Sequence, residues 1–264
     1  MKIVTLNMYC RREWNMKKDT LLSNLRDIEP EIFCAQEITG REIENGQYIY
    51  EGMELEKGLK YKGYYSSEVT PDTNTNQGIF IKPKTFEVKD SQQTSFRGIL
   101  PTGEIDKHRR FLVAQLLEVE GKEMLIVNLH LSTTKAFRYQ NWKEFLIWLK
   151  SMGYEDKNIV VVGDFNTYDN EDIHNEVLKS GFSNAWESVR EDKCVTYYSS
   201  AWWVNNLPED KISKRIIEKG KNWDDGCLDY VFYRGDIKIN NTEYLDLVPE
   251  YTDHKGLVVD LELT

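Results

Sequence analysis

Residues Asn158 to Asn170 read NIVVVGDFNTYDN. Four consecutive β-branched residues, Ile159, Val160, Val161 and Val162, suit a short strand covered on both faces. The end of the run is different. Gly163-Asp164-Phe165-Asn166 sets an acid and an amide two residues apart, and side chains at i and i+2 of an extended chain share a face. Asp164 and Asn166 therefore emerge together at the rim of a sheet, beside a glycine that leaves room. Taken alone, the stretch is a buried strand that closes in a polar turn.

Strand-like segments lie on both sides of it. KIVTLNMY forms a first buried strand. Asp19 caps a helix carrying Leu21, Leu22, Leu25 and Ile28, which Pro30 stops, and EIFCAQE follows as a second strand. YYSSEV, QGIFIKP and TFEVKD are short and separated by turns. RFLVAQLLEV and EMLIVNLHL are joined by Glu120-Gly121-Lys122, as in a hairpin. A helix over Thr134 to Lys150 places Trp142, Phe145, Leu146 and Leu149 on one face. A further helix runs near Asp172 to Ser180, and LDYVFY, EYLDLV and LVVDLEL supply late strands. No repeat or linker divides the chain, so residues 1–264 are read as one domain. Many strands, several hairpin connections and few helices predict an α/β fold. It is a four-layer α-β-β-α sandwich of two mainly antiparallel sheets, packed face to face with helices outside.

With 264 residues the chain is long enough for a sizeable core, and 40% apolar against 30% charged residues is an ordinary soluble profile. The 44 acids and 34 bases give a net charge of -10, which repels polyanions at long range. A phosphate-bearing substrate then needs local cations or a metal. Cys10, Cys34, Cys194 and Cys227 have no zinc-site spacing and are read as reduced, mostly buried thiols. No apolar stretch has the length of a membrane span and no leader pattern opens the sequence, so the expected location is the cytoplasm.

Polar residues recur at the ends of apolar strands. Asn7 interrupts the first, Glu37 ends the second, and His130 sits in LIVNLHL. Asp229 begins LDYVFY, and Asp253-His254 precede LVVDL. Each alone is explained as a polar strand end, a cap or a core histidine. Together they are nearly all acid, amide or imidazole, and half-buried carboxylates are costly unless paired or bound to a metal. The ordered set LNMY, QE, NLHLS, GDFN, LDYVF and TDH resembles the endonuclease/exonuclease/phosphatase superfamily over nearly the whole chain. That superfamily includes DNase I-like nucleases, neutral sphingomyelinases, inositol-polyphosphate phosphatases and abasic-site endonucleases.

The resemblance implies phosphoester hydrolysis with Mg²⁺ or Mn²⁺. Glu37 and Asn7 would bind the metal, with Asp253 near a possible second position, since a hard cation prefers carboxylate and amide oxygens. Asp164 matches the position that orients or deprotonates the attacking water, and Asn166 would hold water or phosphate beside it. His254 would face the phosphate, oriented by Asp229, while His130 donates a second hydrogen bond to the developing charge. Either Asp164 or His254 can be the base. Arg138, just inside the helix after His130, is a candidate phosphate contact because a helix N-terminus attracts anions. His174 is read as a solvated helix residue, and Arg109 and Arg110 of KHRR as a solvated charge run.

Asn7-Met8-Tyr9-Cys10-Arg11 departs from the Asn-x-Asn/Asp-Gly-Leu-Arg start of abasic-site endonucleases, which also carry a tyrosine where this chain has His130. A long connection between Thr196 and Asp229 carries Trp202, Trp203 and Trp223 beside Lys211, Lys214, Arg215, Lys219 and Lys221. Trp202 is taken as a substrate contact by stacking, against the alternative that these tryptophans seal the sandwich edge. The leading expectation is a monomeric phosphoesterase whose phosphorylated substrate is a small molecule more than a nucleic acid. The alternatives are a DNase-like nuclease and a catalytically silent binding protein that kept the fold.

Overall fold

Two six-stranded sheets pack face to face, each built around one parallel pair. The first runs in the order β13 (Ile237–Leu245), β14 (Gly256–Leu263), β1 (Lys2–Asn7), β2 (Ile32–Ile38), β6 (Asn76–Ile81) and β5 (Lys62–Tyr65), and only β1 and β2 are parallel. The second runs β11 (Ser183–Asn184), β12 (Asp229–Arg234), β10 (Asn158–Asp164), β9 (Lys122–His130), β8 (Phe111–Val119) and β7 (Glu87–Ser95), and only β9 and β10 are parallel. A separate ribbon pairs β3 (Gly40–Ile43) with β4 (Gln47–Tyr50). This computed structural model describes residues 1–9, 14–43, 47–66, 76–168, 171–198, 226–245, 247 and 252–264.

A parallel pair needs a crossover, and in both sheets a helix provides it. α1 (Trp14–Ile28) joins β1 to β2, and α3 (Lys135–Ser151) joins β9 to β10. α2 (Glu51–Leu59) lies beside α1, α4 (Asp172–Lys179) lies beside α3, and α5 (Ala185–Val189) touches β12 of the second sheet and β13 of the first. The result is the expected four-layer α-β-β-α sandwich.

Strand alternation decides which side chains reach the interior between the sheets. In β1, Val4 and Leu6 join Phe33 and Ala35 of β2 in a cluster with Trp14, Leu21, Leu22 and Leu25 of α1. Ile3, Thr5 and Asn7 therefore face the other sheet. In β9, Asn128 and His130 share the inward face. Asn128 Nδ2 donates to the carbonyls of Ala35 and Gly78, and its Oδ1 accepts from Gln36 Nε2 at 2.7 Å. Gln36 also donates to Thr5 Oγ1. This buried polar bridge ties one sheet to the other, and breaking one of its hydrogen bonds would cost about 1–3 kcal/mol.

Several expectations are corrected. α1 begins at Trp14, with Asp19 exposed in its interior instead of capping it, because Trp14 and Lys17 are themselves buried and extend the helix toward its start. α2 and the β3–β4 ribbon had no expected counterpart. β13 starts at Ile237, ahead of EYLDLV: Ile239 is buried among Lys238, Asn240 and Asn241, whose polarity masks the strand in the sequence. No helix among the described residues is long and apolar enough to cross a membrane.

Candidate active site

The C-terminal ends of the two central parallel pairs meet at one rim. On β10 the strand NIVVVGD ends at Asp164, which stands in register with His130 of β9 on one side and Asp229 of β12 on the other. Alternation turns all three side chains inward. Gly163 makes this approach possible: its φ is +137°, and a Cβ there would lie 1.9 Å from the Leu129 carbonyl oxygen. Beyond Asp164 the chain turns at once. Phe165 packs edge-on to Tyr230 and Phe232, Asn166 takes a left-handed φ of +50°, and its N–H donates to Asp164 Oδ1 at 2.7 Å. The acid and amide two residues apart are thus joined by a side-chain turn, and Asn166 Nδ2 donates onward to the Leu131 carbonyl.

The other carboxylate oxygen, Asp164 Oδ2, is the centre of the site. Asn7 Nδ2 donates to it at 2.9 Å, His130 Nε2 lies 3.5 Å away and His254 Nε2 4.0 Å away. Across the sheets His254 Nδ1 is hydrogen-bonded to Asp229 Oδ2 at 2.7 Å, both groups being buried. Two threonines hold this pair in place. Thr196 Oγ1 accepts from the backbone N–H of Leu228 and Asp229, and Thr252 Oγ1 donates to the Asn7 carbonyl while accepting from the His254 N–H. The Tyr197 ring lies 5.0 Å from that of His254.

Burial and neighbouring charge set the protonation states. Asp164 is pushed up to about 7 by burial and by the nearby Asp229, against the opposing pull of His254 and its hydrogen-bond donors. For His254 burial opposes the charged form, but Asp229, Asp253 and Asp164 surround the ring and hold its pKa well above the ordinary value. His130 goes the other way, lowered by burial and by the positive charges of Arg110, His254 and His108, so it is neutral at pH 7. One imidazole is cationic and one neutral, and both Nε2 atoms face the same carboxylate oxygen.

Glu37 lies inside β2 at a register irregularity between Gln36 and Ile38, not at the strand end, and has a left-handed φ of +55°. The bulge turns it toward Asn7, whose Nδ2 is 3.3 Å from Glu37 Oε1. Asp253 is nearby. Its carboxyl is raised first by burial, against the pull of His254 and with a further contribution from the charge of Glu37, and its buried Oδ1 makes no hydrogen bond among the described residues but lies 3.8 Å from His254 Nε2. Glu37 and Asp253, two carboxylates that repel each other, suit a hard divalent cation, and Asn7 would join them by turning its amide over, since here its Nδ2 faces Glu37 and Asp164 while its Oδ1 accepts from the Tyr9 N–H. The ligand atoms of Asp164, Asp229 and His254 also lie within 4.8 Å of one another. A cation among those three would have to displace the 2.7 Å His254–Asp229 bond.

A buried ion pair sits behind Asn7 and Glu37. Lys17 donates to the carbonyls of Met8 and Tyr9 and lies 3.7 Å from Glu51, whose other oxygen accepts from the Thr39 N–H. It ties the segment after Asn7 to the segment after Glu37. No motif marks it, although a lysine on the apolar face of α1 at i−4 from Leu21 is a visible oddity.

Arg138 is corrected. Its guanidinium is buried, donates to the Thr133 carbonyl and pairs with Glu171 at 2.7 Å, and Glu171 in turn accepts from Thr167 Oγ1. It braces the turn after Asn166 through Nη1 and Nη2, while its buried Nε has no hydrogen-bond partner among the described residues. His174 is buried, not solvated, with its ring 5.3 and 5.6 Å from those of Tyr230 and Phe232 on the outer face of β12. Arg110 is likewise buried, at 5% exposure, and its charge acts on His130. Its position directly before the apolar strand RFLVAQ was the available signal. Trp202, Trp203 and Trp223, with the basic residues from Lys211 to Lys221, lie outside the described residues.

The model of the Endonuclease/Exonuclease/phosphatase family matches residues 4–254. A solved endonuclease/exonuclease/phosphatase from Bacteroides vulgatus is 20% identical with a TM-score of 0.75, covering 100% of this chain and 98% of that one. The mannosyl-6-phosphatase of Bacteroides thetaiotaomicron is 14% identical with a TM-score of 0.70, covering 99% of each. A curated relative, the probable CCR4-Not complex 3'-5'-exoribonuclease subunit Ccr4 of Vairimorpha ceranae, is 21% identical over 192 residues, which is 64% of this chain. The chain spans only 40% of that relative's length.

Proposed function

Because the chain belongs to the endonuclease/exonuclease/phosphatase family, whose members are hydrolases of phosphoesters, we propose that it is a Mg²⁺-dependent phosphoesterase acting on a compact phosphorylated substrate. The observation that carries this reading is the convergence of Asn7, His130 and His254 on Asp164 Oδ2, at 2.9, 3.5 and 4.0 Å. A carboxylate raised to about 7 is matched to proton transfer near neutral pH.

In this reading Asp164 Oδ2 orients the attacking water and takes its proton. His254 Nε2–H, charged and held in position by Asp229, donates to a phosphoryl oxygen, and neutral His130 donates to another through its own Nε2–H. These donors face the place where negative charge grows as the water adds, so they favour the transition state over the bound ester. The backbone N–H of Asn166 steadies Asp164 on its far oxygen. Asn7, Glu37 and Asp253 would hold the cation, which when bound polarises the phosphoryl group and offsets charge at the leaving oxygen. Mn²⁺ suits the same oxygen ligands.

A small substrate is favoured by the net charge of -10 and by the mannosyl-6-phosphatase among the structural neighbours. The curated relative's exoribonuclease title supports a nuclease as the second reading. The deciding experiment is a panel of nucleic acids, nucleotides, phosphoinositides, sphingomyelin, sugar phosphates and aryl phosphates, assayed with Mg²⁺ or Mn²⁺ beside Asp164→Asn. Release of phosphate or alcohol from one small class, lost in the variant, is expected. Degradation of RNA or DNA alone would replace the small-substrate reading. Absence of metal-dependent turnover on every member would leave a binding protein.

A further inference from the structure

Cys194 and Cys227 stand 33 residues apart in the chain with their sulfurs 2.7 Å apart. Both are buried, at 8% and 1% exposure. The backbone brings them together on the two sides of the long connection. The N–H groups of Thr196 and Tyr197 both donate to the Gly226 carbonyl, at 3.0 and 2.8 Å, and Tyr197 and Gly226 form an antiparallel bridge. Thr196 Oγ1 adds bonds from Leu228 and Asp229. The two cysteines therefore sit on segments already held against each other by main-chain bonds, and their sulfurs are closer than a relaxed non-bonded contact. A disulfide needs about 2.05 Å between sulfurs, a small further approach.

We propose that Cys194 and Cys227 are a modification site: they form an intramolecular disulfide when the chain meets an oxidising thiol–disulfide pool. The Cys194 thiol, the more exposed of the two, loses its proton and attacks one sulfur of a low-molecular-weight disulfide, releasing one small thiol. Cys227 then gives up its proton and attacks Cys194 Sγ in that mixed disulfide, releasing the second small thiol. Two protein thiols lose two protons and two electrons, and one small disulfide becomes two thiols. Burial, and then the neighbouring Cys194, push the Cys227 thiol well above its ordinary range, which suits the resolving role better than the attacking one. The bond closes the ring at the base of the long connection, on the segment that seats Asp229. Its formation does not depend on the hydrolase reading.

The test uses the full chain incubated with oxidised glutathione, followed by alkylation of free thiols, tryptic digestion and mass spectrometry without reduction. The expected product links the peptide from Cys194 to Lys211 with the peptide from Asn222 to Arg234, lighter than their sum by two hydrogens and separated by a reductant. The oxidised chain should melt on the order of 5–10 °C higher than the reduced one. Cys194→Ser and Cys227→Ser should each abolish the shift, and if a variant fails to fold the wild-type peptide map still decides. Buried Cys34 should remain alkylatable only after denaturation. Recovery of Cys194 and Cys227 as separately alkylated or separately glutathionylated peptides, or linkage of either to Cys10 or Cys34, would overturn the proposal.

Discussion

In the second sheet His130, Asp164 and Asp229 stand side by side on three neighbouring strands, in unbroken register. In the first sheet Asn7 ends a strand, Glu37 sits on a bulge, and Asp253 and His254 lie in the segment before β14. The difference follows from what each half must do. Proton transfer and hydrogen-bond donation need fixed geometry, which a continuous ladder supplies through its neighbours. A group of oxygen ligands gathers around a cation from several directions, and bulges and turns aim side chains where strand alternation cannot. Two side chains of the first half cross to the second, His254 through its bond to Asp229 and Asn7 through its bond to Asp164.

The comparison breaks first at Asp164. Asp164→Asn keeps the shape and removes the charge on which the donors converge, so turnover should fall on the order of 10⁴-fold, worth about 5.5 kcal/mol, while Tm changes little. A loss of less than tenfold, measured on whichever substrate the panel identifies, would move the base to His254.

Gly163→Ala tests whether the second sheet tolerates any slack. A methyl group 1.9 Å from the Leu129 oxygen, on a backbone only glycine adopts readily, should cost on the order of 4 kcal/mol. Chemical denaturation measures it. Unchanged stability would mean that the ladder yields and that its rigidity is not what places Asp164.

Glu37→Gln sharpens the contrast from the other side. The bulge should survive, with folding intact, but Mg²⁺ binding by calorimetry should weaken about 10- to 100-fold, and activity should follow metal occupancy. An unchanged metal titration would remove Glu37 from the ligand group.

The smallest effect concerns His130. Its folded pKa is lowered, so below about pH 6.5 the unfolded chain binds a proton that the folded chain refuses, and stability present above that pH is lost as pH falls. The loss is read between about pH 7.5 and 5.5, on either side of the unfolded value. His130→Asn should therefore lose less stability over that interval than the parent. His254, whose shift has the opposite sign, is present in both proteins. An equal loss in the two would mean that His130 titrates in the folded state.

The same comparison explains what the sequence discloses. Asn7, His130, Asp164 and Asp229 are legible because each is a polar residue on the inward phase of an apolar strand, a contradiction that two-residue alternation makes visible. The four layers are legible for the same reason. Glu37 is readable as a residue but not as a bulge, since its positive φ leaves no mark in IFCAQEI. Arg138 is misleading because a helix N-terminus after a site residue resembles an anion site, and its partner Glu171 lies 33 residues downstream. His174 is hidden in a polar helix whose register is set by Tyr230 and Phe232 on a distant strand. Lys17 and Glu51 belong to different helices, and nothing local announces that two buried charges answer each other.

Whether the two halves act as one unit through His254 and Asp229 is tested directly by a double-mutant cycle on kcat/KM for a small aryl phosphodiester with Mg²⁺. Asp229→Asn frees the ring and withdraws the charge that favours its protonation, and His254→Ala removes the donor. Each should cost on the order of 10²-fold or more, and the double variant should be little worse than His254→Ala alone, because either change disables the same group. A double variant whose loss equals the product of the two single losses would show that the sheets contribute independently, and would contradict the account.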